Sequence, residues 1–204
     1  MTQENTEALH PFLYLEGRPE MPRKTQKNFH LLLPEKLVET IEQRVVSPAL
    51  NTSFVVLIQA GLDLLKRRRA KFETDFIVDA EKDIKEGGVG LDQSLKDNLS
   101  SILATPPKRE FSRPVLYIKR RMGSFARREF TLILPQVFAK EIDDSTSGPR
   151  NSGFLILLAL GLEVFRFRSE DGKKPVTIKV TEFFKTHWYE SEISQNPSTT
   201  TDKT

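Results

Sequence analysis

Asn51 to Arg68 reads NTSFVVLIQAGLDLLKRR, and Asn151 to Arg168 reads NSGFLILLALGLEVFRFR. The offset is 100 positions throughout, and six of the 18 aligned pairs are identical: Asn51/Asn151, Phe54/Phe154, Leu57/Leu157, Gly61/Gly161, Leu62/Leu162 and Arg68/Arg168. Most of the rest are apolar for apolar, with Asp63 facing Glu163 and Lys66 facing Arg166. Segments apolar nearly all round imply helices buried on several sides. Gly61 and Gly161 stand at equivalent places inside them, although glycine in a helix interior costs roughly 1 kcal/mol against alanine. Two equivalent glycines predict close approach of the two helices near a pseudo-twofold axis.

The likeness continues upstream. NFHLLLPEKL at Asn28 to Leu37 parallels EFTLILPQVF at Glu129 to Phe138, and PFLYLEGR from Pro11 parallels PVLYIKRR from Pro114. Three matches in the same order identify an internal duplication. Phe29, Leu31 and Leu33 alternate, as do Phe130, Leu132 and Leu134; a period of two marks a strand with one buried face. Pro34 and Pro135 end the strands and suit the first turn of a helix, where the missing N–H costs nothing. Leu37, Ile41 and Val45 then recur at helical spacing, as do Phe138 and Ile142, before Ser47-Pro48 and Ser147-Gly148-Pro149 break the helix. Asn51 or Thr52, and Asn151 or Ser152, are placed to cap the second helix.

Around this unit, Phe12 to Leu15, Val115 to Ile118 and Val176 to Val180 alternate like added strands and are expected to cover the second helices. Phe72, Phe76, Ala80 and Ile84 are spaced to extend the preceding helix as far as Gly87-Gly88. Leu95, Leu99, Ile102 and Leu103 mark an amphipathic helix ending before Pro106-Pro107. The expected division is a disordered tail over 1–10, a first unit with its flanking strand over 11–69, a helical linker over 70–110, a second unit with flanking strands over 111–190, and a disordered tail over 191–204.

Net charge is only +3 over 204 residues, so a surface for nucleic acid must come from local clusters of Lys and Arg. The absence of cysteine excludes disulfides, thiolate catalysis and cysteine-based zinc sites, and fits a cytoplasmic location. The start, MTQENTEALH, lacks the basic and apolar regions of a signal peptide. Phe154 to Phe165 is interrupted by Glu163 and falls short of the roughly 20 residues that span a bilayer. His10, His30 and His187 share no ligand spacing, and no P-loop, GxGxxG or GxSxG motif is present, so no cofactor, metal or enzymatic activity is expected. The Asn51-Thr52-Ser53 sequon has no secretory context. Phe183, Phe184, Trp188 and Tyr189 read as a small core or docking patch.

Strand, short helix, tight turn, longer apolar helix: the pattern resembles the ribbon-helix-helix superfamily of Arc, MetJ and CopG type, over roughly residues 27–69 and 127–168. The resemblance implies an α+β, mostly helical fold. Two ribbon-helix-helix units in one chain would form a pseudo-twofold domain with a two-stranded antiparallel ribbon, residues 29–33 pairing with 130–134, and added flanking strands. It also implies that the ribbon enters the DNA major groove. The outward positions are then Asn28, His30 and Leu32 in one unit and Glu129, Thr131 and Ile133 in the other. Asn28 suits adenine, Thr131 is an adaptable donor and acceptor, and the apolar pair suits thymine methyls. These residues depart from the Arg, Lys, Gln or Asn usual in the family, and Glu129 repels phosphate.

Phosphate contacts are expected at the start of each second helix, where free N–H groups meet the positive end of the dipole: Asn51, Thr52 and Ser53 in one, Arg150, Asn151, Ser152 and Gly153 in the other. Basic residues also crowd the strand starts, Arg23, Lys24 and Lys27 before the first and Lys119, Arg120, Arg121, Arg127 and Arg128 before the second. The Lys66 to Arg69 run ends a helix, where cations suit the dipole, and reads as structural. The expected function is site-specific binding of double-stranded DNA, as a transcriptional repressor or as an accessory factor in plasmid transfer or maintenance of the conjugation relaxosome type. Self-association or other DNA-bound proteins complete the expected partners, with no membrane. A protein–protein adaptor that retains the fold without the DNA face is the alternative, favoured by Leu32 and Ile133.

Overall fold

The computed structural model of the chain describes residues 10–20, 25–85, 88–90, 93–107 and 111–185. The two expected tails, apart from His10, lie outside the described residues, as do Arg23, Lys24, His187, Trp188 and Tyr189.

The first repeat runs β1 (Leu13–Glu16), β2 (Gln26–Pro34), α1 (Glu35–Arg44), β3 (Val45–Val46), α2 (Leu50–Phe72), β4 (Phe76–Asp79) and α3 (Ala80–Asp83). An insertion follows: β5 (Ile84–Lys85), β6 (Gly88–Val89), α4 (Gln93–Asp97) and α5 (Leu99–Leu103). The second repeat runs β7 (Leu116–Lys119), β8 (Arg127–Pro135), α6 (Gln136–Ser145), β9 (Thr146–Ser147), α7 (Arg150–Arg168), β10 (Val176–Lys179) and α8 (Val180–Phe184). The fold is α+β. The repeat is longer than the sequence match suggests, because β4–α3 is the counterpart of β10–α8.

β2 and β8 pair antiparallel as a sheet of their own, with His30 opposite Thr131 at the centre. Phe29 to Leu33 lie opposite Leu132 to Arg128, a register two residues away from the expected pairing with 130–134, which keeps every side chain on its expected face. The observed register sets Phe29 against Leu132 and Leu31 against Phe130 on the inner face, so each large ring meets a leucine. Below, each phenylalanine makes an edge contact with the second helix of the other repeat: Phe29 with Phe154 at 5.1 Å and Phe130 with Phe54 at 5.3 Å between ring centroids. Such pairs add about 0.5–1.5 kcal/mol beyond area burial.

The flanking strands form two parallel three-stranded sheets, ordered β10-β1-β3 and β4-β7-β9. Both exchange a strand between repeats: β1 of the first takes β10 of the second, Leu13 opposite Val176, and β7 of the second takes β4 of the first, Leu116 opposite Phe76. Leu13, Leu15, Leu116, Ile118, Phe76 and Val78 point inward and are buried.

β4 corrects the helical linker expected over 70–110. α2 ends at Phe72, where Glu73 adopts a left-handed φ of 56° and its N–H bonds to the carbonyl of Arg69. Phe76 and Val78 are buried while Ile77 is 55% exposed, so the residues spaced for a helix face are used at period two. Ala80 and Ile84 are buried on α3 and β5 instead. The amphipathic helix expected at Leu95 to Leu103 is present as two short helices, α4 and α5, with Leu95, Leu99 and Ile102 buried.

The core centres on α2 and α7, which cross at the two glycines. A Cβ on Gly61 would lie 2.1 Å from the carbonyl oxygen of Leu157, and one on Gly161 would lie 2.0 Å from that of Leu57. The close approach expected from the sequence is therefore a backbone-to-backbone contact. The remaining surfaces of these helices meet α5 on α2, and β6, β7 and β9 on α7. Among the described residues no helix is long and apolar enough to cross a membrane.

Two outcomes follow. Gly61→Ala and Gly161→Ala should each destabilise by roughly 1–3 kcal/mol, because separating the helices outweighs the gain of about 1 kcal/mol in helix propensity; a urea midpoint equal to or above wild type contradicts the crossing. A fragment ending near Gly88 should not melt cooperatively as a monomer, since β2, β4 and α2 all lose partners supplied by the second repeat; a cooperative monomeric transition overturns the strand exchange.

Candidate nucleic-acid interface

The inner faces of β2 and β8 are used by the core, which leaves the outer face to solvent. Asn28, His30, Leu32, Glu129 and Thr131 are exposed and Ile133 is half-buried, as the alternation predicts. Across the sheet, Asn28 sits opposite Ile133, His30 opposite Thr131 and Leu32 opposite Glu129. Leu32, 45% exposed, is among the most exposed large apolar side chains.

Asn51 and Asn151 do something the sequence did not suggest. The second helices start at Leu50 and Arg150, with Ala49 and Pro149 as the preceding residues and no side-chain cap. The expected capping by Asn51 or Thr52 and by Asn151 or Ser152 is thereby corrected: each asparagine lies within the first turn and points at the sheet. Asn51 accepts from the Ile133 N–H at 2.9 Å and donates to the Ile133 carbonyl at 3.3 Å. Asn151 accepts from the Leu32 N–H at 3.0 Å and donates to the Leu32 carbonyl at 2.8 Å. Each repeat thus clamps the edge of the other repeat's strand, satisfying backbone groups that β2 and β8 have no neighbour to pair. These amides are engaged, and Thr52, Ser53 and Ser152 are buried at 2%, 2% and 1% exposure, so the side chains expected to meet phosphate at the helix starts are turned inward. Arg150 is the exposed exception.

The strand cations fall into two equivalent settings. Lys27 stands 3.6 Å from Asp143 and over the Phe29 ring; Arg128 bonds Glu42 at 3.1 and 3.3 Å and lies over the Phe130 ring. Arg150 shares Asp143 at 3.0 Å and also approaches the Phe29 ring. Lys27 and Arg150 against one Asp143 leave a net charge of 2 − 1 = +1 at that end. Arg127 donates to the Gly123 carbonyl at 2.5 Å and stacks over Phe125. The partners in these ion pairs are 30 to 55% exposed, a setting in which an ion pair is worth about 0–1 kcal/mol, so the carboxylates hold these cations only weakly. Glu42 and Asp143 carry no recognisable sequence motif; only their equivalent positions on the first helices would have marked them.

Several other cations are paired away from the two-stranded sheet. Arg120 is bound to Glu81 at 2.7 Å and faces Asp79; the hydrogen bond to Glu81, then the attraction of Asp79, raises its pKa further. Lys66 is buried against Glu141, Arg67 donates to the carbonyls of Leu103 and Thr105 at the end of α5, Arg68 to those of Thr74 and Asp75, and Arg69 pairs with Asp75. Lys119 and Arg121 are exposed at the end of β7. Among the described residues no group of three or more His, Asp or Glu is placed to hold a metal ion.

Asn51→Ala and Asn151→Ala should each cost about 1–2 kcal/mol, the scale of two lost hydrogen bonds at a part-exposed site. Asn51→Asp should cost more, because a carboxylate then faces the Ile133 carbonyl. Amide exchange locates the effect: the Ile133 N–H should lose protection in Asn51→Ala and the Leu32 N–H in Asn151→Ala, and unchanged exchange at both removes the clamp.

No family model, curated protein or solved structure matches this chain.

Proposed function

We propose that the chain is a tandem ribbon-helix-helix protein that binds double-stranded DNA in a site-specific way, with β2 and β8 lying in the major groove. The observation that carries this reading is the outer face of a two-stranded antiparallel sheet that packs on helices from below only, with exposed Lys27, Arg127 and Arg150 and half-buried Arg128 at its ends. A two-stranded ribbon fits the width of the major groove. Asn28 and Ile133, side by side, suit an A·T-containing half-site; Leu32 beside Glu129 suits a thymine methyl next to a cytosine amino group. Backbone anchoring rests on the strand-end cations and on the N–H groups of the first turns of α2 and α7 rather than on the side chains of Asn51, Thr52, Ser53, Asn151 and Ser152. The role is that of a transcriptional repressor or of an accessory factor in plasmid transfer or maintenance, in the cytoplasm and without enzymatic activity. The exposure of Leu32 favours a second reading, an adaptor that docks a protein on the same face.

Duplex binding over a salt series separates the two. DNA binding through four cations gives an affinity falling with salt at a log–log slope near −3 to −4, about −0.9 per phosphate neutralised. Lys27→Ala with Arg128→Ala should bring that slope toward zero by about two and weaken all sequences alike. Asn28→Ala should relax preference in one half-site, by roughly 1–3 kcal/mol. No duplex binding at about 50 mM salt, where phosphate contacts are strong, rejects DNA and leaves the adaptor.

A further inference from the structure

The two halves of the molecule diverge where the first helix of one repeat packs on the second helix of the other. Between α6 and α2 the space is filled. Phe138 is fully buried, Gln59 is buried and donates to Asp63 at 3.0 Å, and Lys66 reaches across to Glu141. At the equivalent place between α1 and α7, Leu37 stands for Phe138, Ala159 for Gln59 and Thr40 for Glu141. With no carboxylate across from it, Arg166 turns onto its own repeat, bonding Glu163 at 3.0 Å and Asp171 at 2.6 Å. The Thr40 hydroxyl is spent on the Lys36 carbonyl at 2.8 Å. What remains is a cavity of about 550 Å³, within the range of natural small-molecule sites.

Its lining is divided by chemistry. Phe12, Leu37, Val89 and Leu162 provide an apolar wall, and Arg44 and Lys96 add cations. Glu163 and Asp171 share one cation, Arg166, which leaves 1 − 2 = −1 at that end of the cavity. Arg44 donates to the carbonyl of His10 at 3.0 Å, an uncharged acceptor, and neither it nor Lys96 has a carboxylate partner among the described residues. Over the whole lining, Arg44, Lys96 and Arg166 against Glu163 and Asp171 give 3 − 2 = +1, with Arg44 and Lys96 the cations left without carboxylates beside the apolar wall.

We propose that this cavity binds a small organic anion with an apolar body, the anionic group held by Arg44 and Lys96 and the body packed on Phe12, Leu37, Val89 and Leu162. There is one such site per chain, because Lys66, Glu141, Gln59 and Phe138 occupy the equivalent space. The site stands whether or not the chain binds DNA.

The probe is 1-anilinonaphthalene-8-sulfonate, an organic anion with an apolar body whose fluorescence rises on transfer from water, titrated into the full chain. One saturable site per chain is expected. Thr40→Glu with Ala159→Gln copies the filled side, lets Arg166 pair across as Lys66 does, and should weaken the probe at least about tenfold while leaving a cooperative melt. Arg44→Gln with Lys96→Gln leaves the cavity open and should weaken it by about tenfold, the scale of a charge-assisted hydrogen bond. Unchanged affinity in the Arg44/Lys96 variant overturns the proposal, as does unchanged affinity in a folded Thr40/Ala159 variant. If the latter does not fold, the former decides alone.

Discussion

The contact between α2 and α7 is the constraint on which the rest depends. Two helices whose carbonyl oxygens occupy the places of each other's Cβ atoms have almost no freedom to slide or rotate. Asn51, Phe54, Ile58 and Gly61 follow at intervals of three, four and three, which puts them along one face of α2. Asn151, Phe154, Leu158 and Gly161 do the same on α7. Once the glycines fix the crossing, the phenylalanine on each face meets a strand phenylalanine of the other repeat, and the asparagine reaches that strand's edge. One stripe per helix thus carries the contact, the ring packing and the clamp that hold the two-stranded sheet.

This arrangement leaves the outer face out of what holds the sheet. The sheet is held through its inner face and its edges, by Phe29, Leu31, Leu33, Leu132 and Leu134 and by the two amides. Nothing in that list uses the outer side chains, so their chemistry is free to serve a partner. The cations at the strand ends are likewise held by exposed carboxylates, a loose grip in water, whereas Lys66 and Glu141 are partly withdrawn from solvent and serve the core.

The duplication, the strand alternation and the glycine contact were legible because each leaves a periodic or repeated mark. Strand β4 was not, because Phe72, Phe76, Ala80 and Ile84 satisfy a helical spacing as well as a strand does, and only Glu73 turning left-handed decides between them. The exchange of β4 and β10 is a long-range pairing with no local signature. Asn51 and Asn151 were misread for a physical reason: asparagine at the start of a helix usually serves its own backbone, and here the unpaired edge of another strand is the stronger demand. The outer side chains were placed on the correct face by period alone, while the acids that hold Lys27, Arg128 and Arg150 became visible only once α1 and α6 were seen beside the strands.

Joining the two repeats in one chain changes what the fold can present. In a symmetric dimer one substitution alters both equivalent places, and the residues at the centre of the paired strands must be identical. Here the centre pairs His30 with Thr131, which no symmetric pair can do. The two copies agree where backbone meets backbone or ring meets ring, at Gly61 and Gly161, Phe54 and Phe154, Asn51 and Asn151, because each of these contacts needs its counterpart to close the same geometry. They differ at Thr40 and Glu141 and at Ala159 and Gln59, where filling one side and opening the other leaves the crossing untouched. Exchange of β4 and β10 ties these divergent halves together, since each three-stranded sheet needs a strand from both. Covalent linkage therefore lets the outer face and the cavity specialise on one side of a scaffold whose inner contacts remain nearly twofold.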